Sequence, residues 1–337
     1  MKKVYLSLDR IFLSRVGFGV RVLNGVALSD VTVVIPVLNE AKAIGVVLDE
    51  VLEVGVPHEN IVVVDGGSID GTVEIARSRG VQVVFQEGVG KALAIKTGLK
   101  YVKTPYVVVM DGDYTYPAKH ILDLYTKILN GYDLVIGARR CGKGSQSNVY
   151  RFGNWVLTKF FNILFGIRLS DVLSGMYIAR TDRLREVVFE MPRFSVESEI
   201  VAHIATTTSR VAEIPINYRR RLGKKKLGAL HGLAIARDMV RLTWRYSPAF
   251  FIFALGSLLL VPGLVLGAWV GYHYLFTGIK YYVKGLVAIL LTAAGFLSML
   301  QAVMAFYIKR IEMRMHHRIE EVKEFIKDML KRNSEKS

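Results

Sequence analysis

From Val31 the chain alternates short β-branched runs with amphipathic stretches. The runs are VTVVIPV (31–37), NIVVVD (60–65), VQVVF (81–85), YVVVMD (106–111) and DLVIGA (133–138). Each is mostly apolar with no regular alternation, as strands covered on both faces are. Asn39 and Asp70 suit helix N-caps, Pro117 suits a first turn, and Gly80 and Gly131 suit helix ends. The pattern predicts an α/β fold, a mostly parallel sheet with helices on both faces. Ligands on such sheets bind beyond the carboxyl ends of the strands. Asp65 and Asp111 stand there.

The pattern changes after the basic segment YRRRLGKKKLG (218–228). An amphipathic helix is expected over 229–247, with Arg237, Arg241 and Arg245 on it. Two apolar stretches follow, at about 249–276 and 285–308, each longer than the roughly 20 residues that cross a bilayer core. Their short connection makes them a hairpin. Basic residues flank the outer ends, with only Lys280 and Lys284 in the turn, so the positive-inside rule puts both chain ends and the 30–228 domain in the cytoplasm. The expected location is the cell, or inner, membrane. Gly263, Gly267 and Gly271 recur every four residues and offer a smooth face to the second span or to another subunit, as in a homo-oligomer. In 309–337, Ile311, Met315, Ile319, Val322, Ile326 and Met329 predict an amphipathic tail helix. Residues 1–29 read only as a basic lead-in.

Composition adds one constraint. The 337 residues carry 45 Lys and Arg against 29 Asp and Glu, which favours an anionic partner. Nucleic acid is not expected, because no helix-turn-helix, RNA-binding or zinc-finger pattern accompanies the charge. No histidine spacing suggests a zinc site.

Three segments carry chemistry. In VVVMDGDYTYP (107–117) a buried strand runs into Asp111 and Asp113. Two carboxylates at that edge suit Mg²⁺ or Mn²⁺, with phosphate and water completing the shell. In VVVDGGSIDGT (62–72) Asp65 ends a strand and two glycines let the backbone wrap a base and ribose. QEGVGKALAIKTG (86–98) is neither a Walker A loop nor a dinucleotide fingerprint. It is a glycine-rich helix entry beside Lys91, suited to an anion.

Taken in order with VTVVIPVLNE and DLVIGARR, these segments resemble a family 2 glycosyltransferase with the Rossmann-like GT-A fold. DVLSGMYIARTD, the basic loop and the membrane hairpin narrow the resemblance to the polyprenyl-phosphate (dolichyl-phosphate) hexose synthases. The resemblance implies a nucleotide-sugar donor, a polyisoprenyl-phosphate acceptor and a divalent metal. Carried over, Pro36, Asn39 and Glu40 line the nucleotide pocket, Asp65 holds the base with Lys91 near it, and Asp111 faces ribose or metal. Asp113 ligates the metal. Arg139 and Arg151 meet the acceptor phosphate. Asp171, Ser174 and Gly175 shape the sugar pocket, Glu197 and Glu199 read sugar hydroxyls, and Arg220 and Lys226 clamp the diphosphate. Two positions depart from the pattern. Thr115 stands where mannose-transferring relatives carry Gln, which leans the donor toward a UDP-hexose over GDP-mannose, and Lys225 stands where Ser is usual.

The implied chemistry needs no catalytic histidine. A phosphate monoester has a second pKa near roughly 6 and is already a nucleophilic anion. Single displacement at the sugar carbon inverts its configuration. The alternative is a membrane-bound transferase acting on a protein or polysaccharide hydroxyl, with Asp171 as base.

Overall fold

The structure, a computed structural model, describes residues 28–141, 148–189, 196–208, 210–223, 231–246 and 248–334. The basic lead-in lies almost wholly outside the described residues, and Lys225 and Lys226 lie outside them. The chain divides into two compact units. The first takes in most of the chain up to residue 236, and the second is built mainly from 237–337.

The first unit is a seven-stranded sheet of order β3-β2-β1-β4-β6-β5-β7. Its strands are β1 (Val31–Val37), β2 (Ile61–Asp65), β3 (Gln82–Phe85), β4 (Tyr106–Val109), β5 (Leu134–Cys141), β6 (Tyr177–Arg180) and β7 (Val211–Tyr218). All pairings are parallel except those of β6, which runs antiparallel to β4 and β5. The mostly parallel sheet expected from the apolar runs is present, and β6 and β7 complete it.

Helices cover both faces. Val33, Ile35 and Val37 of β1 pack with Ile44, Leu48 and Val51 of α1 (Ala41–Glu53). Ile121 and Leu124, on the helix His120–Ile128, join the same cluster. The remaining helices of this unit are α2 (Thr72–Ser78), α3 (Lys91–Leu99), α4 (His120–Ile128), α5 (Asn148–Phe165), α6 (Thr181–Arg185) and α7 (Val196–Thr207). The alternate β1 residue Val34 is equally buried on the other face. Burial on both sides is why these strands read as continuous apolar runs.

The chain leaves β1 toward β2 and β3 on one side, while β4 lies on the other. Order reverses at β1/β4, and the crevice beyond such a reversal is where open α/β sheets bind ligands. Pairing there ends at Val34–Val109. Pro36, which has no N–H to offer, therefore sits beyond the last β1–β4 rung.

A helix α8 (His231–Tyr246) leads into the second unit, which holds α9 (Pro248–Phe276) and α10 (Tyr282–Ser334). Pro248–Phe276 and Tyr282–Ile308 are long and apolar enough to cross a membrane. Most of their apolar surface is exposed, unlike that of a soluble core helix. The amphipathic tail is not a separate helix. It continues the second apolar stretch unbroken through 53 residues, a length of about 80 Å.

The glycine contact differs from the expected stripe. Gly263 does pack closely, since a Cβ there would lie 2.7 Å from Thr292 N. Gly271 meets nothing within 4 Å, and Gly267 makes only ordinary contact with Ala288. The other tight points are Gly256 and Gly295, where a Cβ on Gly295 would lie 2.5 Å from the backbone N of Leu260. Gly295→Ala is therefore expected to destabilise the hairpin by about 1–3 kcal/mol, read as a lower thermal midpoint in detergent. Gly271→Ala should leave that midpoint unchanged.

Candidate functional site

The C-terminal ends of β1, β2 and β4 carry the loops that build the site. The loops after β1 and β2 brace each other. Asn39, at φ 52°, accepts the Ile69 N–H on Oδ1 (2.9 Å), and its own N–H donates to Ser68 Oγ (2.8 Å). Asp70 in turn accepts the Ala41 N–H (3.1 Å) at the start of α1 and the Thr72 N–H (3.2 Å). Neither is the N-cap its type suggested, since Glu40 precedes α1 and Gly71 precedes α2; Asn39 instead ties the two loops together, and Asp70 takes the first N–H of both helices. Glu40, expected only in a pocket wall, is the residue that precedes α1.

Asp65 is buried, and its carboxylate accepts N–H bonds from Gly67 (2.9 Å) and Ser68 (3.0 Å). It shapes the loop after β2. Lys91, expected near the base, engages two carboxylates. From the first position of α3 its Nζ bridges Asp111 Oδ1 and Glu197 Oε1, 2.5 Å from each. Burial pulls the Lys91 ammonium down, but the Asp111 and Glu197 carboxylates outweigh it and hold the group well above the ordinary lysine value.

Asp113 lies in a tight turn. Its Oδ1 accepts the Thr115 N–H (3.1 Å) and the Thr115 hydroxyl, and Tyr114 between them has φ 73°. A non-glycine residue in that region stores strain, which is offset here by the two Thr115 bonds and by Arg219 stacking 4.4 Å over the Tyr114 ring. Burial, then the neighbouring Asp111 charge, raises the Asp113 pKa; the Thr115 hydroxyl and Arg221 oppose them. Arg221 Nη1 lies 3.2 Å from Asp113 Oδ2, and its Nη2 donates to Glu40 Oε1.

Four carboxylates, those of Glu40, Asp111, Asp113 and Glu197, thus share two cations, Lys91 and Arg221. Among the described residues acids outnumber bases by two in this largely buried cluster. Hard oxygen donors in that excess fit a divalent ion whose other ligands are phosphate and water. Among the described residues no group of three or more His, Cys, Asp or Glu forms a complete metal cage. Asp111 and Asp113 are the carboxylates that would hold the ion.

Gly175, two residues before β6, closes the cluster. A Cβ there would lie 2.2 Å from Asp111 Oδ2, so only glycine leaves that carboxylate in place. Its N–H donates to the hydroxyl of fully buried Tyr116 (2.7 Å), and Ser174 Oγ donates to the Gly137 carbonyl. Glu199, two residues after Glu197 and so on another face of α7, is completely buried.

A second ion pair stands apart from the cluster. Arg139 donates through Nε (2.6 Å) and Nη2 (2.7 Å) to the two oxygens of Asp171. Asn154 of α5 joins both partners, at 3.1 Å to Arg139 and 2.9 Å to Asp171. Burial raises the Asp171 pKa, but the Arg139 charge and bonds prevail and hold it below the usual carboxylate value. Among the described residues, Nη1 alone of the Arg139 guanidinium nitrogens has no bond. Arg151, exposed, is one turn before Asn154 on α5. Beside Arg139 lies a cavity of about 200 Å³, lined also by Arg140, Ser170 and Glu213.

The structure therefore gathers Glu40, Lys91, Asp111, Asp113, Gly175 and Glu197, and separately Arg139 and Asp171 with Arg151 nearby. Arg220 is exposed and takes part in neither group. Arg221, Tyr116 and Asn154 were not singled out by sequence. Of the three adjacent arginines, Arg221 is the one at Asp113.

A family model described as Glycosyl transferase family 2 matches residues 32–184. A dolichyl-phosphate hexose transferase of Haloferax volcanii is 33% identical over 215 residues, which cover 63% of this chain and 93% of that protein. The chain belongs to glycosyl transferase family 2. Glycosyltransferase AglJ of the same organism is 28% identical to this transferase over 302 residues, covering 87% of this chain and 98% of the relative. Among solved structures, glucosyl-3-phosphoglycerate synthase from Mycobacterium tuberculosis, in complex with Mn²⁺, UDP-glucose and phosphoglyceric acid, superposes with a TM-score of 0.54. The identity is 24%, over 65% of this chain and 79% of that one. The transferase thus has the GT-A type of sheet, and it is an enzyme of glycosyl transfer.

Proposed function

We propose that the enzyme transfers a hexose from a nucleotide sugar to a polyisoprenyl phosphate, with inversion at the sugar carbon. The observation that carries this reading is the acidic cluster at the β1/β4 reversal, four carboxylates against two cations among the described residues, in a chain that also holds two membrane-length helices. The similarity to the Haloferax dolichyl-phosphate hexose transferase supports the lipid acceptor.

Asp111 and Asp113 hold Mg²⁺ or Mn²⁺ in this reading. The ion, when bound, supplies positive charge to the donor diphosphate as it becomes a leaving group. The loops of Pro36, Asn39, Glu40 and Asp65 receive the nucleoside, with Asp65 acting by fixing the loop at Gly67 and Ser68. Glu197, Ser174 and Gly175 border the sugar, and buried Glu199 fixes α7 behind them. The acceptor phosphate meets Arg151 and Arg139, whose orientation Asp171 sets. Arg220, exposed on the segment after β7, and Lys226 reach the diphosphate.

The acceptor is an anion already, so the protein's task is to bring two anionic groups together and exclude water. Thr115, whose hydroxyl is committed to Asp113, leaves the donor leaning to a UDP-hexose. The two apolar helices span the membrane, with the catalytic unit and both termini on the cytoplasmic side.

Membranes containing the enzyme and a panel of radiolabelled nucleotide sugars test the reading. Label is expected in an acid-labile lipid extractable into organic solvent. Label confined to protein or polymer would overturn it.

A further inference from the structure

Arg221 serves two acids with two different nitrogens. Nη2 bonds Glu40, Nη1 faces Asp113 at 3.2 Å, and Nε is buried without a partner. Its fork is therefore not closed on either carboxylate, in contrast to that of Arg139 on Asp171. The backbone around it is pinned. Arg219 N–H donates to the Thr115 carbonyl (2.9 Å) and Leu222 N–H to the Asp113 carbonyl (3.2 Å). Glu40 is fixed as well, since its N–H donates to Thr72 Oγ1 (2.9 Å). Moving the guanidinium off Asp113 thus needs only side-chain rotation, and Glu40 is already in contact to receive it.

We infer that Arg221 holds the place of the divalent ion. It covers Asp113 while the site is empty, and Glu40 retains it once Asp113 is given over to the ion. A buried carboxylate without a counter-charge is costly, so a site that loads and unloads an ion gains from an internal substitute. The inference rests on the metal site proposed above and adds a competitor to it.

The test is Mn²⁺ binding to the full-length protein in detergent without nucleotide, followed by the loss of the free-ion electron paramagnetic resonance signal. Arg221→Gln is expected to bind Mn²⁺ roughly tenfold more tightly, the effect of removing one like charge from beside the site. Glu40→Gln is expected to bind it several-fold more weakly, because Arg221 then stays on Asp113. In the Arg221→Gln background, Glu40→Gln should change nothing. A general loss of negative field would weaken binding equally in both backgrounds, and the double-mutant cycle separates the two cases.

Unchanged or weaker binding in a folded Arg221→Gln protein, or additive effects, would overturn the inference. If Arg221→Gln does not fold, Arg221→Lys takes its place. A single ammonium does not span both acids, so a smaller tightening is expected, and none would overturn the inference. Asp113→Asn is the control for the site itself. If it binds Mn²⁺ as the wild type does, the proposed metal site fails; if it loses Mn²⁺ while Arg221→Gln is unchanged, only the place-holder role falls.

Discussion

Asp113→Asn should lower hexose transfer by at least about 10²-fold, the scale for losing one strong electrostatic contact in a transition state, while the fold survives. The amide keeps the size of the carboxylate and an oxygen to accept from Thr115 N–H and Oγ1. It removes the charge that faces Arg221 and, in the proposed reaction, the ion. Arg221 retains Glu40. The carboxylate it replaces is strained by burial and by Asp111, so losing its charge relieves repulsion as well as breaking a contact. Little net change in unfolding free energy is expected. The assay is turnover with saturating Mn²⁺ or Mg²⁺ beside a thermal melt. Turnover within a few-fold of wild type would remove Asp113 from the reaction.

The same residues show which parts of the molecule the sequence made legible. Four of the five apolar runs were readable because burial on both faces leaves no alternation to interpret; the fifth, edge strand β3, is partly exposed and showed through its valines. β6 escaped notice as a strand because its four residues, YIAR, lack the consecutive valines that mark the equally short β3 and β4. β7 did so because it is an edge strand of mixed exposure and contains Pro215, which edge strands tolerate. Asp111 and Asp113 were legible because they follow closely on a buried strand, so the sheet fixes their place, whereas Glu40 came only with the family resemblance. Arg221 was not. Three consecutive arginines are equivalent in sequence, and the choice among them is made by two backbone hydrogen bonds to the Asp113 turn. Lys91 was placed by its position at a helix start, but its partners lie 20 and 106 residues away. The glycine repeat was legible only in part, with Gly263 against the second helix, for a related reason. A four-residue period defines a helix face, whereas the points of closest approach depend on where the second helix crosses it.

Asp171→Ala is expected to destabilise the first unit by about 3–5 kcal/mol, the usual effect of stripping one partner from a buried ion pair. Arg139 would be left buried with only Asn154 and the face of Tyr218, 5.5 Å away, as compensation. For a unit of this size the thermal midpoint should fall by roughly 10 °C. The pair also sets a pH dependence. Asp171 has its folded pKa below the unfolded value, so its contribution is fully present above the unfolded carboxylate pKa. It is lost as pH falls through the depressed folded value, and Asp171→Asn should flatten that acid limb. The alternative reaction, transfer to a hydroxyl with Asp171 as base, requires the opposite signature: a folded, stable and inactive Asp171→Asn protein. A carboxylate with a lowered pKa, both of whose oxygens accept from a guanidinium, is a poor proton acceptor. Loss of stability with residual transfer by the surviving folded fraction therefore supports an acceptor that needs no base. A stable protein with no transfer would reverse that conclusion and return the acceptor to a protein or polysaccharide hydroxyl.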